Sequence, residues 1–271
     1  KIFALFFSPR SLLMTVQDVL LPPVQPCKRP VLLDGTSPMS AQIQWYGPPR
    51  RKYTRRELLA DRCVNFVGAG LSWIAAPVLC FASWNVGNSV PLQLGCLAHG
   101  LGLITMLNCS AFYHYLCWDW TKARRLYSLD HIGISAMIMG AATPLTIYLH
   151  SYITLSIVWV LGLIGWGLEV FKLCRPDPDD VAGWTLLDKV NVVRYLVMGW
   201  VALPQAPGLW SANRAAMCVG IFGGLTYSLG IIIFAQGDLE FHLAYWHTFV
   251  LVASFSFYAV IFCVVVAPDL F

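Results

Sequence analysis

Residues 108–120 read NCSAFYHYLCWDW and close one of the longest apolar runs in the chain. The run begins near residue 90, so it exceeds the ~20 residues a helix needs to cross ~30 Å of hydrocarbon. Ser110 and His114 stand four apart within it. On a helix that spacing is one turn, so the two share a face. A membrane-length apolar run that ends in stacked polar side chains reads as a transmembrane helix that carries chemistry into a bundle.

The rest of the chain agrees. Of its 271 residues, 58% are hydrophobic and 12% charged, with a mean hydropathy of +0.64. A soluble domain carries about 25% charged residues, and a chain this poor in charge cannot cover a water-facing surface. The composition predicts an integral, multi-pass membrane protein built as one bundle. None of the nine cysteines falls in a CxxC pair and most lie inside apolar segments, where cysteine acts as a small hydrophobe, so neither a cysteine zinc site nor a disulfide framework is inferred. The sequence contains no phosphate loop, dinucleotide fingerprint or CxxCH haem motif, and nothing in it calls for a nucleic-acid partner.

Seven apolar segments are candidate spans: 63–84, 90–117, 129–149, 152–172, 189–205, 213–235 and 241–266. The fifth is the shortest, with Arg194 near its start and Pro204 at its end. The fold expected is all-α, a seven-transmembrane helix bundle over 57–271. Residues 1–56 form a proline-rich, basic amino-terminal arm. Within it Leu12, Leu13, Val16, Val19 and Leu20 recur at helical spacing. A short amphipathic helix against a membrane or a protein partner and a poorly ordered arm are both compatible with that pattern. With the amino end inside, inner flanks collect twelve Lys and Arg, from Arg50 to Lys189, against Arg214 alone outside. Lys and Arg accumulate on the cytoplasmic side, so the amino end is expected inside and the carboxyl end outside.

In that orientation several polar residues fall at one depth. Ser110 and His114 lie at the inner end of the second span, Asp130 and His131 at the inner end of the third, and His242 and His247 in the inner half of the seventh. Taken singly each has a structural reading: an interfacial histidine, a serine bonded to its own backbone, an acid at a helix amino end. Together they resemble the way bundles assemble metal sites from facing helices. Neutral imidazole suits zinc, and a nearby carboxylate can hold or deprotonate water. His131 follows Asp130 and points about 100° away, toward headgroups or loops. Glu169 is expected to snorkel toward the inner interface, and Arg194 is placed to pair with it or with Asp188. Mid-span His99 reads as a packing or interhelical residue.

The stretches SAFYH, LDHIGISAMIMGAATPLTIY and WHTFVLVAS resemble the hemolysin III family, which groups with the progestin and adipoQ receptors. ADRCVNFVGAG, YLVMGWVALPQAP and GGLTYSLGIIIFA support the resemblance, which covers about residues 57–266. It implies seven helices around a zinc ion near the cytoplasmic side, with three histidine ligands and an aspartate beside the water. Carried over, Ser110 supports the site, His114 is the first ligand, Asp130 the aspartate and His247 the last ligand. The family commonly shows two histidines four apart on the last helix, yet position 243 is Leu and His242 precedes His247 by five. His242 completes the set only if a π-bulge or a non-helical start brings it round. Asn65 and Phe257 also stand where many members carry histidine. Adiponectin receptors are associated with ceramide amide hydrolysis, so the resemblance implies a zinc-dependent lipid amidase.

Three functions are therefore open. One is a zinc hydrolase of membrane lipids at the inner face, with His114, His247 and His242 on the metal and Asp130 and Ser110 in the chemistry. Another is a non-catalytic receptor-like module, or an accessory subunit of a larger organellar complex with a degraded site. Pore formation is the least supported, because no charged ring or polar stripe crosses the bilayer.

Overall fold

The computed structural model describes residues 53–116, 120–174 and 186–267. The expected arm helix near Leu12–Leu20 lies outside the described residues. Those residues are helical throughout apart from short turns, and no strand occurs among them. The helices are α1 (Arg55–Asn85), α2 (Val90–Leu116), α3 (Trp120–Tyr148), α4 (Tyr152–Cys174), α5 (Leu186–Trp200), α6 (Ala206–Ala212), α7 (Arg214–Ala235) and α8 (His242–Ile261). A 3₁₀ turn over Leu203–Gln205 precedes α6, and a π turn over Phe262–Val266 extends α8.

Six of these helices, α1–α4, α7 and α8, are long and apolar enough to cross a membrane. In hydrocarbon every backbone polar group must be satisfied internally, which helices alone of the open structures achieve. Large apolar side chains such as Trp73, Phe81, Ile153 and Leu163 point outward, where lipid rather than water receives them. The fifth expected span is present with different bounds. Its helix, α5, has 15 residues and is about 22 Å long, and the 3₁₀ turn and α6 carry the chain on to the start of α7. Pro204 opens the 3₁₀ turn that follows, because proline ends a helix and pre-sets the first residue of a new one. The polar face of α5, with Asp188, Asn191 and Arg194, is buried against its neighbours.

The first helix starts earlier than its apolar run. Thr54 caps it in a full capping box, its hydroxyl accepting from the Glu57 amide while Glu57 accepts from the Thr54 backbone. The TxxE pattern satisfies two of the helix's orphan amides and brings residues 55–62 into α1. The most extensive helix pair is α2 with α3. Glycine permits its close approach: a Cβ at Gly102 would sit 2.6 Å from the Ala136 carbonyl oxygen, and one at Gly140 2.6 Å from that of Ala98. Membrane helices associate through such small-residue contacts, since lipid offers no hydrophobic drive between them.

One end of the bundle collects the starts of α1, α3, α5 and α8 with the ends of α2 and α4. Glu57 accepts the Phe241 amide there, joining α1 to the turn into α8 at 3.0 Å. Phe241 adopts a left-handed backbone, φ 59°, uncommon for a bulky residue.

Candidate metal centre

Three helices each deliver one buried ligand-type side chain to this end. Asp61 comes from the second turn of α1, His114 from the last turn of α2 and His247 from the second turn of α8. They are 2%, 4% and 6% exposed. Asp61 Oδ1 lies 2.5 Å from His247 Nδ1, and Oδ2 lies 2.9 Å from His114 Nδ1. The two imidazoles stand nearly perpendicular, with centroids 4.3 Å apart. One ligand atom from each residue lies within 4.8 Å of the others, the one such group among the described residues.

The surroundings hold these side chains in place. Asn65, one turn after Asp61, donates to the Asp61 carbonyl at 2.9 Å and faces its Oδ1 at 3.4 Å. Ser110 Oγ lies 3.4 Å from His247 Nε2, so the serine of α2 contacts the histidine of α8. A cavity with about 30 Å³ open to the centre of a water molecule adjoins the group. Asn65, Ser110, Asp130, Trp246, His247 and Val250 are among its lining. That volume admits a water and no lipid chain, so any lipid would present its reacting group at the mouth.

Of the residues expected from sequence, the structure brings together Ser110, His114 and His247 and sets Asp130 on the wall of the adjoining cavity. It places His242 elsewhere. The helix is regular from His242 onward, after the left-handed Phe241, with no π-bulge near its start. The His242 ring stacks on Tyr53, and its Nε2 lies 2.6 Å from the Tyr53 hydroxyl. Leu243, at the i−4 position from His247, is 3% exposed. The position that family resemblance assigns to a histidine is thus filled by leucine, and Asp61 of α1 supplies the third donor atom.

Asp61 was not legible as a site residue. It sits in ADRC beside the basic stretch RRKYTRRELL and reads as a solvated flank when the span is started at 63. The available signal was the capping box, which moves the helix start upstream and the acid inside. Two further expectations are corrected. His131 faces α4, its Nδ1 3.2 Å from Glu169 Oε1, rather than headgroups. Glu169 does not snorkel; it is fully buried. His99 is also fully buried beside the Tyr258 ring, without an interhelical hydrogen bond.

Two imidazoles and a carboxylate form a donor set for a divalent transition metal. Around a tetrahedral ion with bonds of ~2.0–2.2 Å, neighbouring ligand atoms stand about 3.3 Å apart. One ligand atom from each of the three residues lies within 4.8 Å of the others, a spacing compatible with a shared ion.

The Haemolysin-III related family matches residues 64–258. The chain belongs to the hemolysin III family. Among relatives, the Hemolysin-3 homolog of Bacillus subtilis (strain 168) is 29% identical over 224 residues, covering 80% of this chain and 99% of that protein. Hemolysin-3 of Bacillus cereus is 27% identical over 216 residues, covering 77% and 92%. The hemolysin III match begins just after Asp61 and takes in His114, Asp130 and His247.

Proposed function

We propose that this protein is a zinc-dependent hydrolase of a lipid amide or ester, working at the membrane face that the Lys and Arg count assigns to the inside. The observation that carries the reading is the buried Asp61–His114–His247 group, whose His247 lines a water-sized cavity together with Asp130. Asp61, His114 and His247 would hold the ion. Bound zinc lowers the pKa of water toward neutrality and polarises a carbonyl. Asp130 orients water in the cavity and accepts its proton. Ser110, against His247 Nε2, fixes the ring orientation, as second-layer partners of metal-binding histidines do. The surrounding apolar bundle excludes bulk water, and the lipid presents its reacting carbonyl at the mouth of the cavity.

Elemental analysis of the detergent-purified protein, with a His114→Ala variant beside it, tests the reading. About one zinc per chain, lost in the variant, is the result expected. Asp130→Ala is then expected to keep the metal and lose hydrolysis of lipid amides, and unchanged turnover there removes the assigned base.

A second reading has its own support. Asp61 contacts both imidazoles at 2.5 and 2.9 Å, so the three side chains also satisfy one another as an ion cluster. With Leu243 at the i−4 position, this favours a non-catalytic accessory protein that kept the fold. A folded wild-type protein without metal is its signature.

A further inference from the structure

The seam between α1 and α8 holds a second polar contact, one turn of α1 before the metal centre. Glu57 and Asp61 stand four apart on α1 and so share a face. That face meets α8 twice. Asp61 touches the His247 ring, and Glu57 Oε1 accepts the Phe241 amide at 3.0 Å. Glu57 is buried, and its two oxygens have different tasks. Oε2 accepts from the Thr54 amide at 2.8 Å and from the Thr54 hydroxyl at 2.9 Å, which completes the cap of α1. Oε1 is not needed for that cap.

The need for Oε1 lies on α8. The position before a helix favours Ser, Thr, Asp or Asn, whose side chains cap the first amides. Here it is Phe241, which makes no side-chain cap. Its backbone is left-handed, φ 59°. Bulky residues keep that conformation where their surroundings over-determine it, and such positions gather at functional sites. The surroundings here come from the start of α1. Glu57 holds the Phe241 amide, and the Tyr53 ring stacks on His242 with centroids 5.6 Å apart. A carboxylate at this place also complements the positive starts of both helices. The regular helix begins at His242, and His247 follows in its second turn. The direction in which α8 leaves Phe241 therefore fixes where the His247 ring stands. Nδ1 of that ring lies 2.5 Å from Asp61 Oδ1, a contact that a small displacement breaks.

We propose that Glu57 is a positioning residue of the metal centre: by tying the left-handed Phe241 to the first turn of α1, it sets the angle at which α8 presents His247 to Asp61 and His114. The proposal rests on the metal-centre reading of those three residues. It gives Glu57 no contact with the ion and no part in proton transfer. A helix cap alone would serve α1 and leave α8 as it is. A positioning residue moves a ring on another helix, and three substitutions separate the two roles. Glu57→Ala removes both the cap and the tie. Glu57→Gln keeps an acceptor for the Phe241 amide and is the alternative residue of a capping box. Thr54→Ala removes the cap hydroxyl and leaves Glu57 on Phe241.

¹⁵N NMR of the histidine-labelled full chain in lipid nanodiscs, without added metal, tests the proposal. The His247 ring signals are those missing from His247→Gln. They are expected to shift in Glu57→Ala and to keep their wild-type positions in Glu57→Gln and in Thr54→Ala. Unmoved signals in Glu57→Ala overturn the proposal. Equal shifts in Glu57→Ala and Thr54→Ala reduce Glu57 to a helix cap and overturn it as well. Should Glu57→Ala fail to fold, Glu57→Asp takes its place: one methylene shorter, it does not reach Thr54 and Phe241 together, and the His247 signals are expected to move. The same variants loaded with cobalt(II) give a second readout. Release of the ion to a chelator is expected to be at least about tenfold faster in Glu57→Ala than in the wild type or Glu57→Gln, and equal rates overturn the proposal. A wild type that takes up neither cobalt nor zinc removes the metal reading, and the imidazole signals then decide alone whether Glu57 positions the ring.

Discussion

At the scale of single residues, Asp61 governs the candidate site. Among the described residues it is the one carboxylate in contact with both His114 and His247. Asp61→Asn preserves shape and removes charge; zinc retention against a chelator is expected to fall at least about tenfold, checked by elemental analysis after dialysis. Leu243→His is the complementary change. It restores an imidazole one turn before His247 at a buried position, and is expected to strengthen zinc retention about tenfold or more. Replacing His242 by Phe is expected to leave zinc stoichiometry unchanged, because its Nε2 is engaged by Tyr53. The sequence made His114, His247, Ser110 and Asp130 visible because each stands within an apolar run, where a polar residue is costly. Asp61 stayed hidden because it sits at the edge of such a run, behind arginines, where acids are ordinary.

At the scale of helices, small residues decide which faces meet. Gly140→Ala would press a methyl group onto the Ala98 carbonyl, and overpacking of this kind costs about 1–3 kcal/mol. A lowered unfolding midpoint in detergent, with zinc stoichiometry retained, is the outcome expected. Gly165 has a different task. A Cβ there would lie 2.1 Å from the Arg194 Cζ, so Gly165→Ala displaces the guanidinium and is expected to loosen α5, seen as faster amide hydrogen exchange over 186–200. Long apolar runs with caps were legible as helices. The fifth was not fully legible: hydropathy counts residues 189–205 as one segment, whereas α5 is amphipathic inside the bundle and ends at Trp200. Its partners, Glu169 and Lys172, are distant in sequence, and no local pattern marks such a pairing.

At the scale of the whole molecule, the site ties together the first, second and last spanning helices. A ligand that binds only the folded state stabilises it in proportion to the logarithm of its concentration; at a hundred times Kd the gain is about 2.7 kcal/mol. Zinc is thus expected to raise the thermal midpoint of the wild type and to leave His114→Ala unmoved, as differential scanning fluorimetry in detergent would register. The Glu57 carboxylate joins the first and last of these helices by another route. It caps the start of α1 and also holds the Phe241 amide at the turn into α8, while Tyr53 rests on His242. A mechanical load on the amino end, such as an extraction motor or a force probe exerts, therefore reaches the last helix as soon as it reaches the first. Pulled from that side, the protein is expected to resist as a stitched pair of helices, with an initial rupture force above that of any single span that follows.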